Sequence, residues 1–520
     1  MSKFLRGTLI LLIAGLVTRV LGFINRIVIA RFIGEEGVGL YMMAFPTLIL
    51  IITITQLGLP VAISKNVAEA EARGDVKKIK KILIVSLTTT ISLSIVFTPA
   101  LIFLAPYLSK TLFTDSRTLL PLLAIAPIVP IVAVSSVLRG YFQGKQNMKP
   151  AAISQVIEQV IRIALIAFMT KTFLPYGVEY AAAGAMFASV IGELASLVYL
   201  LTSFKLKKRF RLRGRFFQHV QTGKSTFKEL MAIALPTTGS RLIGNISWFL
   251  EPIVVSQALA LAGVTAIVAT KQYGALTGFA MPLLMLPSFV TNSLSTSLVP
   301  AISEAKSKND KRMIEHRLQQ ALRFVFITGG IAVVILYVLS DPLMEVMYGS
   351  TSGSFFIKLM APFFLLQYYQ GPLQATLQAL NLARAAMINS FLGALVKTVV
   401  IFLLASQPSF GINGAAIGIV VGILLVTMLH FATVLKTISF TFYVRDYVKT
   451  FIAIGITGWV GYMLFSTLSN KFQMSLSLLL TTVIMAFLYF LLIIVFGLIY
   501  KNEIARIPFI GKFLSRFALS

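Results

Sequence analysis

The chain contains no cysteine. That excludes disulfides, thiolate nucleophiles and cysteine-based metal sites together. Its three histidines are scattered through 520 residues and do not assemble a zinc site. Charge is also scarce: 12% of residues are Asp, Glu, Lys or Arg, against about 25% in soluble globular chains. Acids are the scarcest, 18 against 46 Lys and Arg. No glycine-rich phosphate loop with its lysine occurs, nor H-E-x-x-H, nor G-x-S-x-G. The sequence therefore offers no catalytic constellation and calls for no cofactor; a coupling ion is left unidentified.

What is present is apolar. The composition is 57% hydrophobic with a mean hydropathy of +0.88, which reads as an all-α polytopic membrane protein. Segments able to cross about 30 Å of hydrocarbon fall near 8–33, 38–64, 82–108, 118–142, 150–172, 179–204, 229–260, 271–302, 318–339, 354–380, 384–406, 412–436, 446–468 and 472–500. That predicts about fourteen transmembrane helices. The N-terminus, Met1-Ser2-Lys3-Phe4-Leu5-Arg6, imitates a signal peptide. The run after it passes through Arg19 and Arg26 without an A-x-A-like site, so it reads as an uncleaved first span.

The net charge of +28 is distributed by loop. Basic residues follow every second span: Lys65 to Lys81, Arg139 to Lys149, Lys205 to Lys228, Lys306 to Arg317, and Arg445 with Lys449. The positive-inside rule then places both termini in the cytoplasm of a multi-pass cell-membrane protein. The partner for this charge is the anionic inner leaflet rather than nucleic acid. The stretch Lys205-Leu206-Lys207-Lys208-Arg209-Phe210-Arg211 is either a headgroup-binding segment or a plain solvated linker. The tail, with Ile504, Ile507, Phe509, Phe513 and Phe517 among Lys512 and Arg516, reads as an interfacial amphipathic helix.

The two halves resemble each other. Thr18-Arg19-Val20-Leu21-Gly22 recurs as Ser240-Arg241-Leu242-Ile243-Gly244, Ala62-Ile63-Ser64 as Ala301-Ile302-Ser303, and Tyr176-Gly177-Val178 as Phe410-Gly411-Ile412, the last pair running on to Gly184 and Gly418. The order is kept along the chain. Six spans per half make the repeat parallel. The expected domains are a six-helix lobe at 1–204, a basic linker at 205–228, a second six-helix lobe at 229–436, two additional helices within 437–500 and a tail at 501–520.

Arg19 and Arg26 stand seven apart inside the first apolar run, on nearly one helical face. Each arginine at bilayer depth costs roughly 2.5–3.5 kcal/mol, so either this face lines a wet cavity or a side chain snorkels to an interface. Asn25 adjoins them. The repeat matches Arg19 with Arg241, which a two-fold axis would bring to opposite walls of one cavity. Asn245 and Trp248 follow Arg241 at helical spacing, and Lys271 begins span eight at its rim. Span five carries Ser154, Gln155, Glu158, Gln159 and Arg162; Glu158 and Arg162, four apart, either serve coupling or neutralise each other. Lys397 matches Arg162 in the second half. Glu193 and Glu251 are the remaining intramembrane acids, able to couple protons or pair with a cavity arginine. His430 reads as a satisfied interior histidine.

A six-plus-six repeat with cations at mid-membrane indicates a transporter working by alternating access on an anionic cargo. Exporting two negative charges gains roughly 4–5 kcal/mol per 100 mV. Thr18-Arg19-Val20-Leu21-Gly22-Phe23, the run from Ile29 to Tyr41, and Gly58-Leu59-Pro60-Val61-Ala62-Ile63-Ser64-Lys65 followed by Ala68 to Asp75 resemble the stage V sporulation protein B family. That family is a polysaccharide-transport branch of the multidrug/oligosaccharidyl-lipid/polysaccharide flippase superfamily. The resemblance covers the whole chain. It implies an undecaprenyl-diphosphate-linked saccharide as cargo, with peptidoglycan precursor lipid II for the spore cortex as the case in the sporulation branch. Arg19 sits on the first-span arginine of the related lipid II flippases. Where those have Arg-Asp, this chain has Asn25-Arg26. Their arginines in spans two and eight are replaced near Leu50 and Ala275, with Lys271 close to the latter. Two other readings stay open: a cation-coupled multidrug exporter, which needs acids in its cavity, and a membrane scaffold recruiting cell-wall synthases through the basic loops.

Overall fold

In a computed structural model the protein is described over residues 3–207, 223–438, 440–441 and 443–498, with side chains from Ala14 onward, Lys207 and Ser240 excepted. The described residues form helices joined by short turns. Residues 208–222 of the basic linker and the proposed amphipathic tail at 501–520 lie outside them.

Eleven of the helices are long and apolar enough to cross a membrane, or twelve if the bent pair Ala266–Met285 and Ser288–Ser307 is one span. All fourteen expected segments fall on helix, but the count differs for two physical reasons. The segments 8–33 and 38–64 count once there because helix runs almost unbroken over Lys3–Gln56, yet Gly34, at φ 63° and ψ −171°, breaks it between them, so two helices stand where two spans were expected. The helix Ser354–Ala379 is continuous but carries four glutamines, two prolines and adjacent tyrosines, which keep its hydropathy low.

Backbone geometry carries the internal repeat. Residues with left-handed φ recur in order: Gly74 with Asn309, Thr114 with Gly349, Gln146 with Asn381, and Gly177 with Gly411. The bonding around them recurs too. Gly74 N donates to Glu71 O and Asp75 N to Ala70 O; Asn309 N donates to Lys306 O and Asp310 N to Ala305 O. Both helices thus end in the same C-terminal motif, in which backbone N–H groups reach back to otherwise orphaned carbonyls. The next helix then starts from an aspartate cap, Asp75 accepting from Lys78 N at 2.8 Å and Asp310 from Met313 N at 2.9 Å.

The helices cluster into two compact units. One comprises Met1–Gly278 with Ala405–Ile412; the other comprises Phe279–Leu404 with Asn413–Ser520. In the first, Lys3–Gln56 packs on Met148–Phe173 and Val178–Lys207, and Leu59–Ala72 packs on Ile128–Gly144. Its core around Leu59, Ile63, Ile82, Tyr141 and Phe142 is sealed from solvent. In the second, Ser354–Ala379 packs on Ser288–Ser307 and Lys311–Val338, and Val444–Ser469 pairs with Met474–Val495.

Candidate functional site

The site grows from the break at Gly34. Its φ of 63° takes the chain out of helical geometry, which glycine allows at no steric cost. The two arms of the long helix then line one cleft. The first arm presents Gly22, Asn25, Arg26 and Ile29, the second Val38, Tyr41, Met42 and Phe45. Both sets follow the three-and-four spacing of one helical face. Met148–Phe173 adds Gln159 and Arg162, again three apart. The cleft encloses about 160 Å³, room for several waters or a compact anion.

Its polar groups are incompletely satisfied. Asn25 is 7% exposed, and Asn25 Oδ1, Gln159 Oε1 and Arg162 Nε have no hydrogen-bond partner among the described residues. Each such atom costs about 1–3 kcal/mol when left dry, so the cleft favours solvent or a polar ligand. Arg26 lines it half-buried and forms no ion pair among the described residues. No acid lines it.

Behind Arg162 lies a buried charge cluster. Arg162 pairs with Glu158 through a short contact. Arg139 Nη2 lies 3.2 Å from Glu158 Oε2, 3.1 Å from Glu193 Oε1 and 2.9 Å from Ser196 Oγ. Ser135 Oγ donates to Glu193 through a second short contact. Gly192 makes the crowding feasible: a Cβ there would stand 2.9 Å from Glu158 O and 3.2 Å from Arg162 Cβ. The sequence placed Arg139 among loop cations after span four. The structure corrects this, since Arg139 lies inside Ile128–Gly144 with a side chain only 17% exposed. The available signal was its position within the expected apolar segment, three and four residues after Ser136 and Ser135.

A second polar cluster closes the end of the cleft-lining arm. Arg117 Nε and Nη2 fork onto Asp115 at 3.0 and 2.8 Å, and Arg117 also pairs with Glu36. Thr270 Oγ1 donates to Asp115 Oδ2 at 2.7 Å. Burial alone would push the Asp115 carboxyl up. The hydrogen bonds from Arg117 and Thr270 and the guanidinium charge outweigh it and hold the group below the ordinary carboxylate range. The backbones here nearly touch: a Cβ on Gly39 would meet Thr270 O at 2.0 Å, and one on Gly274 would meet Glu35 O at 2.0 Å.

The other expected site residues are dispersed. Arg19 and Arg241 are exposed and do not line the cleft. Asn245 Nδ2 donates to Thr53 Oγ1 at 2.7 Å. Trp248 meets Phe45, a cleft residue, edge-on at 5.7 Å. Lys271 is exposed, 3.9 Å from Glu35. Glu251 is buried within Lys224–Leu261 away from the cleft. Lys397 belongs to the other unit and packs against Gly422. His430 is buried beside Asn389 Nδ2 at 3.3 Å.

Comparison with known proteins adds a lineage to this geometry. The profile of the family described as "Polysaccharide biosynthesis protein" matches residues 4–306, and that of MatE matches residues 252–403. Stage V sporulation protein B of Bacillus subtilis (strain 168) is 60% identical over 99% of this chain and 99% of its own length. Lipid II flippase MurJ of the same organism is 26% identical over 76% of each chain. A solved structure of Lipid II flippase MurJ in an inward closed conformation superposes with a TM-score of 0.69 at 15% identity, over 96% of this chain and 100% of that one. This last likeness is one of fold.

Proposed function

The chain belongs to the polysaccharide biosynthesis protein family, and from that premise we propose that it is a flippase for an undecaprenyl-diphosphate-linked saccharide. Lipid II destined for the spore cortex is the cargo this reading favours, carried from the inner to the outer leaflet by alternating access. The observation that carries the proposal is the cleft where Arg26 and Arg162 converge beside the unpartnered Asn25 Oδ1. Each planar guanidinium can bind a pair of diphosphate oxygens bidentately, and the Asn25 and Gln159 amides hydrogen-bond phosphate or sugar oxygens. The relatives' names, a sporulation protein and a lipid II flippase, point to the same cargo class. Arg19 and Arg241 are assigned to the cargo's route rather than to the cleft, with Lys271 at its rim. The domain scheme of two six-helix lobes with two added helices supplies the moving parts, and cytoplasmic termini place the basic loops on the anionic leaflet.

A cationic drug would need an acid in the cleft, and none lines it. A pure scaffold would have no use for buried, unsatisfied polar atoms at bilayer depth.

The test is translocation of a fluorescent lipid II analogue in vesicles containing only this protein. Wild-type protein moves the analogue across the bilayer. Arg26→Ala, inserted at equal density, slows it about 10- to 100-fold, as loss of one charge-assisted contact implies. An undiminished rate in Arg26→Ala would remove the cleft from the pathway, and no translocation by wild type would remove the flippase reading.

A further inference from the structure

Four charges sit behind the cleft: Arg139 and Arg162 against Glu158 and Glu193. They sum to zero, and only Arg162 also faces the cleft. Glu158 therefore shares its guanidinium partner with whatever anion occupies the cleft. We propose that Glu158 and Glu193 form a proton-binding dyad that takes up about one proton when an anion in the cleft engages Arg162. This rests on the reading of the cleft as a diphosphate site.

The geometry supplies the reason. Both carboxylates lie within 3.2 Å of the same Arg139 Nη2. Once an anion claims Arg162, one guanidinium is left between two buried carboxylates, and the cluster carries an uncompensated negative charge. Two carboxylates at one buried site do not both stay ionised. Proton uptake restores neutrality: the proton bonds to one carboxylate oxygen and is shared with the other. A sodium ion is the poorer choice, because the guanidinium already occupies the point between the carboxylates that a cation would take.

Among the described residues, Arg139 and Arg162 are the ionisable side chains of opposite charge paired with the two acids. Of the elements packed on Val178–Lys207, Ile128–Gly144 supplies Arg139, and Tyr141 far down the helix against Phe204. Met148–Phe173 supplies Glu158 and Arg162. Leu119–Ile125 has no titratable residue, the Leu174–Tyr176 turn carries only the exposed Tyr176, and the first helix presents Arg26 to the cleft that Arg162 also lines. The helix pair does not require these charges to form. In the register set by Gly184 and Gly418, the counterpart of Glu193 is Thr427, which accepts a neutral hydrogen bond from Gln370 Nε2 at 3.2 Å.

The test is calorimetric titration of the full-length protein in detergent with farnesyl diphosphate near pH 8, where the probe's own phosphates are ionised, in buffers of different ionisation enthalpy. The expected heat varies linearly with buffer enthalpy and reports about one proton taken up per probe bound. Glu193→Gln binds the probe within about tenfold of wild-type affinity and loses the buffer dependence. Glu158→Gln carries the same expectation should Glu193→Gln not be recovered folded, and the wild-type result decides on its own. Wild-type binding with buffer-independent heat overturns the dyad and leaves the cleft assignment standing, as does undiminished uptake in both variants. Absence of wild-type binding overturns the diphosphate reading and the dyad with it.

Discussion

A guanidinium inside an apolar helix needs acceptors, and Arg139 finds them in Glu158, Glu193 and Ser196. Removing one member of such a buried set costs more than the set contributes, because its partners remain buried and charged. Arg139→Gln is therefore expected to destabilise the protein by about 3–5 kcal/mol, read as a lowered thermal inactivation temperature in detergent. A change near zero would mean that water reaches the acids. Asp115 gives a pH signature at the same scale. Its carboxyl is held low, so its stabilising contribution is fully present above the unfolded value of about 3.9 and is lost as pH falls through the lowered folded value. The stability gap between wild type and Asp115→Asn should be constant above about pH 4 and shrink below it; a gap that widens on acidification would reverse the assigned sign. Residue-level reading of the sequence reached Asn25, Arg26, Glu158, Gln159, Arg162 and Glu193, since polar groups in apolar runs stand out. It could not show that Arg26 and Arg162 line one cleft, because helical spacing tells which face a residue is on and not which helix packs against that face.

Elements here are held at close range by single glycines. Gly192 lets Val178–Lys207 approach Met148–Phe173 until a Cβ would stand 2.9 Å from Glu158 O, a backbone atom that cannot swing aside. Gly192→Ala should cost roughly 1–3 kcal/mol by overpacking and weaken diphosphate-lipid binding by displacing Arg162. Gly455→Ala, with open space at its Cβ, is the matched control. Equal thermal stability of the two variants would show that the helix pair has slack. The repeat was visible in the sequence as short matched strings, and the structure adds the paired left-handed turns. The break at Gly34 falls in the Gly34-Glu35-Glu36-Gly37 gap that the sequence reading left between its first two spans, although the left-handed φ of 63° itself is not legible there. The two spans read as separate are separate helices, divided at that glycine.

For the whole molecule, composition alone specified the class: scarce charge and long apolar runs leave a helical membrane protein. The cargo is not written in composition. The proposed cargo rests on the two arginines that line one cleft and on the family, and its test is an identification by mass. The protein is purified from its native membrane, and bound lipids are released and weighed. The account predicts a polyprenyl diphosphate carrying sugar in the wild type, reduced about tenfold or more in Arg26→Ala. Equal amounts of that lipid in both preparations, or phospholipid alone in the wild type, would contradict it.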